Sequence, residues 1–309
     1  MKKYSFIFAI VSLAVLATVS CRKEAALSPD SVIVVETAAQ NDFDKWLEAY
    51  FVKPYNIQFK YRYENNETTL SYYSIPPDFW SCVQMAHLVK YTCVDTYDEV
   101  AGIEFTREYF PKMFYLLGEW QYKNNGSFTL GTAEGGKKIF LLGLNYLPQY
   151  IGSEETLNHY YLKTIHHEFT HILNQTRDYP TSFTQVTPNS YVNDSQFSEP
   201  YVYVYLQRGF ISAYAQTEPR EDFAEMMSEY VTHTAEWWEE QMQAADTKWS
   251  EDPSQTETGR ALIEQKLDIV RAYMFDTWGI DMDELRDCIL RRQANVTNGL
   301  VDLTDITVD

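Results

Sequence analysis

The chain has 309 residues, of which 45 % are apolar, so it can bury a core of one large domain and is not of disordered composition. Its formal charge is −19, which repels phosphate backbones, and no basic cluster offsets it, so nucleic acid is excluded as a partner. The aromatic load of 24 Tyr, 17 Phe and 7 Trp fits a large globular fold with a cleft, without specifying a function.

Residues 1–20 read as an export signal: Lys2 and Lys3 precede an apolar run, 6–19, that is too short to span a bilayer. Thr18-Val19-Ser20-Cys21 resembles a bacterial lipobox, with Thr at the position where Leu is usual. The resemblance implies that Cys21 is lipidated and that acyl chains, not a spanning helix, anchor the mature protein to the membrane. Residues 21–40 then form a tether.

Residues 41–51 predict an amphipathic helix with Asp42 as its cap. Tyr55, Ile57, Phe59, Tyr61 and Tyr63 alternate with polar residues, the pattern of a half-buried strand, and Asn65-Asn66 marks a turn. A helix is expected over 78–91 after Pro76-Pro77, and strands over 113–120, 128–130 and 137–145, with turns at Asn124-Asn125-Gly126 and Gly135-Gly136. The 137–145 strand reads either as a core strand or as one that pairs with an extended substrate. Cys82 and Cys93 on one helix would lie about 16 Å apart, too far for a disulfide, so free buried thiols are expected there.

The second half reads as mostly helical. A long helix spans 154–176 with Ser153 as N-cap, and 177–200 is loop. Residues 201–205 fit a strand or a helix start. A second long helix spans 219–245, with Thr217 as cap and Pro219 in its first turn, and further helices span 256–278 and 281–295.

Chemistry enters at His166-His167-Glu168-Phe169-Thr170-His171. His167 and His171 are one turn apart on a helix, so both imidazoles share a face and one ion. Glu168 beside them is placed to take a proton from an attacking water. This is the His-Glu-x-x-His zinc motif, and one Zn2+ is the expected cofactor. A zinc hydrolase needs a third protein ligand. A histidine at the metzincin spacing would fall at Arg177, which excludes that class. Glu221-Asp222-Phe223-Ala224-Glu225 supplies carboxylates on a second helix instead: Glu221 as ligand and Glu225 as the group holding the free nitrogen of a ligand histidine, with Glu225 and Asp222 as alternative ligands. His159, His166 and His233 are read as packing or hydrogen-bonding residues.

The run Gly209-Phe210-Ile211-Ser212-Ala213-Tyr214-Ala215, the Glu221 to Glu225 segment and the zinc motif together resemble the substrate import-associated zinc metallohydrolase lipoproteins of Gram-negative bacteria. That resemblance implies a link to TonB-dependent import components at the outer membrane, on its periplasmic or surface face. A second likeness, to the lethal-factor type of gluzincin, implies that Tyr214, seven residues before Glu221, stabilises an oxyanion.

The expected fold is α+β and zincin-like: a sheet-rich part over 41–150 and a helical part over 151–309, with the active-site helix between. The expected function is a zinc-dependent peptidase acting on a peptide or protein. The alternative is a lipoprotein that uses the same fold only to bind peptide or glycan.

Overall fold

The computed structural model describes residues 39–64, 74–122, 128–129, 131–134, 138–195 and 197–308, with the backbone alone at 128–129 and 131–134. The export signal, Cys21, nearly all of the tether and the turns at Asn65-Asn66, Asn124-Asn125-Gly126 and Gly135-Gly136 lie outside these residues. Residues 41–309 form one unit around a continuous apolar core.

Helices of six or more residues are numbered here in chain order. The first, α1, is Asp42–Leu47. Asn41, not Asp42, caps it: the Asn41 side chain accepts from Asp44 N while Asp44 returns a bond to Asn41 N. This reciprocal arrangement satisfies two otherwise orphaned donors. Phe43, Trp46 and Leu47 bury its inner face.

The predicted strand at 55–63 is shorter than its alternation suggests. Lys53–Tyr55 closes a helical turn, Asn56 takes the left-handed conformation at φ 55°, and only Gln58–Lys60 pairs as β1. The inward–outward alternation nonetheless persists: Tyr55, Ile57, Phe59 and Tyr61 are all buried. Burial of alternate residues and ladder pairing are separate conditions, and the hydrophobic pattern reports only the first.

Phe79–Leu88 is α2, capped by Asp78. It continues through wider π-type turns at Val89–Val94 into α3, Asp95–Ala101. Cys82 and Cys93 are free and buried. Gly102, at φ 87°, ends the rod and begins α4, Ile103–Tyr109, a helix the sequence reading did not anticipate.

Strand β2 is Met113–Leu116 and stops short of residue 120. There Gly118 N donates to Ile75 O, and a Cβ on Gly118 would lie 2.4 Å from Pro76 O. Gln121–Tyr122 (β3) and Phe128–Thr129 (β4) form a two-stranded antiparallel sheet. Gly131–Glu134 is β5, in a stretch not predicted as a strand, and Lys138–Leu141 is β6. The main sheet has the order β1-β2-β6-β5. β1, β2 and β6 run parallel, and β5 is antiparallel to β6. β6 is therefore paired on both sides and has no free edge for an extended substrate; the edge strands of this sheet are β1 and β5.

The long helix predicted over 154–176 is continuous in direction but not in winding. Ser153 accepts from Thr156 N, Asn158–Leu162 forms π-type turns, and α5 is Lys163–Thr176. Its back face is sealed by Ile165, Phe169, Ile172 and Leu173, each no more than 3 % exposed. Burying each such side chain contributes about 1.5–3 kcal/mol.

Residues 201–205 resolve as helix, Tyr201–Val204. The helix predicted over 219–245 is two helices, α6 (Pro219–Thr232) and α7 (Ala235–Ala245). His233 is extended and Thr234 accepts from Trp237 N, so a new N-cap restarts the chain in another direction. Glu218 occupies the N-cap position of α6 without a side-chain cap bond, and the Thr217 hydroxyl instead donates to Tyr214 O. Gly259–Trp278 (α8), capped by Thr258, and Met282–Thr297 (α9), capped by Asp281, complete the fold. Among the described residues no helix is long and apolar enough to cross a membrane.

Candidate metal centre

The site is made by α5 and α6, which pack side by side. Their register can be read from the contacts. His171 and His167 meet Glu221, His167 and Lys163 meet Glu225, Lys163 meets Glu229, and Asn158 meets the carbonyl of Thr232. Residue numbers rise on one helix as they fall on the other, so the pair is antiparallel. Four-residue spacing on both helices keeps each facing side chain on the shared seam.

Three donor atoms converge at one end of that seam. His167 Nε2 is 2.9 Å and His171 Nε2 is 3.2 Å from Glu221 Oε2, and the two ring nitrogens are 3.1 Å apart. A tetrahedral zinc with bonds of about 2.0–2.1 Å spaces its ligand atoms roughly 3.3 Å apart. Two imidazoles and one carboxylate are also the donor chemistry that such an ion takes. The residues present therefore fit zinc, and His167, His171 and Glu221 form a metal-capable group among the described residues.

Glu225 lies on the other side of His167. Its Oε1 is 2.8 Å from His167 Nδ1, although the contact bends away from a straight hydrogen bond. Its Oε2 accepts from Lys163 Nζ at 2.9 Å and from Ser212 Oγ at 2.6 Å. Burial opposes a charge on Glu225, but Lys163, His167 and Ser212 outweigh it and hold the carboxyl well below its usual range. Glu221 is likewise held low against burial, by His167 and His171. Burial opposes a proton on His167 too, yet bonds to Glu221 and Glu225 and the charges of Glu225 and Glu168 raise it to about 10. Lys163, one turn before His167 on the same face, was not singled out from the sequence; its i−4 spacing was the available signal. Ser212 carried no such signal.

Asp222 does not join this group. It turns to the opposite side of α6, where its Oδ2 accepts from Tyr191 OH at 2.8 Å and pairs with Lys266 Nζ at 2.6 Å. Both partners are sealed from solvent. Lys266 Nζ also donates to Gly209 O and lies 3.8 Å from the Phe210 ring centre. Gly209 sits at φ 84°, and a Cβ there would come within 2.6 Å of Leu262. The buried pair thus ties the start of α6 to the loop that carries Tyr214.

Tyr214 sits over the site, with its ring 5.9 Å from that of His167 and 37 % exposed. Burial, followed by the charges of Glu221 and Glu225, raises its phenol far above the ordinary value. Glu168 follows His167 on α5 and is half-buried. His166 points away from the seam: it is fully buried, its Nδ1 is 3.0 Å from Tyr97 OH, and burial lowers it to about 3. His233 pairs with Glu229 and stacks on Trp237.

A family model described as "putative zinc-binding metallo-peptidase" matches residues 36–283. The chain belongs to this family. The match spans both helices that carry His167, His171 and Glu221, and zinc is the family's metal. The crystal structure of a putative zinc-binding metallo-peptidase from Bacteroides caccae ATCC 43185, at 2.10 Å resolution, is similar to this member, with 37 % identity and a TM-score of 0.71. The similarity covers 86 % of this chain and 96 % of that one. A search of curated proteins returns no match.

Proposed function

We propose that this metallo-peptidase family member is a zinc-dependent hydrolase of zincin-like fold that cleaves peptide bonds. The observation that carries the reading is the convergence of His167, His171 and Glu221 on one point beside Glu168. Zinc held by these three residues supplies Lewis acidity toward a substrate carbonyl and lowers the pKa of water toward neutrality. Glu168 accepts the proton of the attacking water and passes it to the leaving amine. The Tyr214 phenol keeps its proton at neutral pH and donates a hydrogen bond to the oxyanion that develops on the carbonyl. Glu225 holds the Nδ1 proton of His167, which leaves the Nε2 lone pair for the metal.

We also propose that the protein is exported and held at the outer membrane by lipid on Cys21. The lipobox resemblance of Thr18 to Cys21 supports this, and the motif order shared with the import-associated lipoproteins supports a link to TonB-dependent uptake.

The test is cleavage of a peptide library by zinc-loaded full chain, with Glu168→Gln as control. New amino termini that vanish in the variant, while the variant keeps its zinc, are expected. Peptides retained but returned uncut by the wild type would sink the hydrolase reading and favour a binding lipoprotein.

A further inference from the structure

Between α5 and α6 a polar cluster lies beside the three donor atoms. Glu225 is 2 % exposed, and its two carboxylate oxygens have different tasks. Oε1 faces His167 Nδ1, while Oε2 is gripped by Lys163 Nζ and Ser212 Oγ. Lys163 is held in turn from its far side by Glu229 Oε1 at 2.8 Å. Ser212 Oγ also accepts from Ala215 N at 3.0 Å, within the turn that carries Tyr214. A carboxylate this deeply buried with only His167 for company would be free to rotate and would carry much of its charge unmatched.

We propose that Lys163 and Ser212 are positioning residues that clamp Glu225, and through it fix the ring orientation of His167 and the strength with which the site holds zinc. The inference rests on the ligand assignment proposed above. Neither residue touches the three donor atoms, so their effect on the metal must pass through Glu225. Partners of this kind typically set metal affinity by 10–100-fold. The cluster also joins the two halves of the site: the hydroxyl that steadies Glu225 is the one that closes the Tyr214 turn.

The experiment is zinc affinity by chelator competition on the full chain, for the wild type, Lys163→Met, Lys163→Arg and Ser212→Ala, with circular dichroism as the folding control. Lys163→Met is expected to weaken zinc binding by about 10–100-fold, and Lys163→Arg to recover most of that loss. Ser212→Ala is expected to weaken it by at least several-fold and decides the matter if Lys163→Met does not fold. Affinities within about threefold of wild type in the folded variants would overturn the clamp and leave the ligand set standing. A wild type that takes up no zinc would overturn both.

Discussion

Glu221 and Glu225, one turn apart on α6, address opposite nitrogens of the same imidazole: Glu221 Oε2 lies 2.9 Å from His167 Nε2, and Glu225 Oε1 lies 2.8 Å from His167 Nδ1. In the reading proposed above, Glu221 shares the metal with Nε2 of that ring, and Glu225 on the Nδ1 side sets the tautomer that makes Nε2 available.

That division separates the two glutamates experimentally. Glu221→Ala removes a donor atom and is expected to bring zinc content from about one per chain to near zero after dialysis. Glu225→Gln leaves the donor set intact and is expected to retain zinc with about 10–100-fold weaker affinity. Elemental analysis and chelator competition distinguish them; full zinc retention by Glu221→Ala would move the third ligand elsewhere.

Glu168→Gln and Tyr214→Phe should differ from both. Loss of a general base typically costs 10²–10⁴-fold in rate, and loss of one oxyanion donor about 10²–10³-fold. Each variant is expected to hold zinc as the wild type does and to lower kcat with little change in KM. A Tyr214→Phe enzyme with unchanged kcat would reduce Tyr214 to a packing aromatic of the cleft.

Zinc and a proton compete for His167. Its pKa is raised from 6.5 to about 10, so the proton's contribution to folding is complete below pH 6.5 and is lost as pH rises through about 10. Zinc has to displace that proton across the same range. Its apparent affinity should therefore climb about tenfold per pH unit, or about 1.4 kcal/mol, between pH 6.5 and 7.5. Affinity that stays flat across this interval would show that the imidazole is already neutral.

The Asp222–Lys266 pair has no access to solvent, and burial pushes both groups toward their neutral forms, Asp222 upward and Lys266 downward. Removing one partner of such a pair typically costs about 3–5 kcal/mol. Lys266→Met is thus expected to lower the melting temperature by on the order of 10 °C, and adding Asp222→Asn should recover part of that loss. A single-variant shift of under about 2 °C would show that water reaches the pair.

The His-Glu-x-x-His spacing and the two carboxylates of Glu221 and Glu225 could be read from the chain because helical periodicity is local: residues four apart share a face in any helix. The helix start at Ser153 was legible for the same reason, since Ser153 caps through a side chain within three residues of it. The break at His233 and the short reach of β1 were not. Continuous polarity hides a new cap at Thr234, and ladder pairing at β1 depends on where β2 lies.

The chemistry of the donor set follows from residue type and spacing alone, because a histidine pair one turn apart can share an ion whatever surrounds it. Which of three nearby carboxylates lies with the histidines was decided by tertiary structure. The antiparallel register of α5 and α6 brings Glu221 to the histidines and Glu225 to the far side of His167, while the rotation of α6 carries Asp222 to Lys266, 44 residues away in sequence. Helix–helix register is set by packing between segments distant along the chain, and no local pattern contains it.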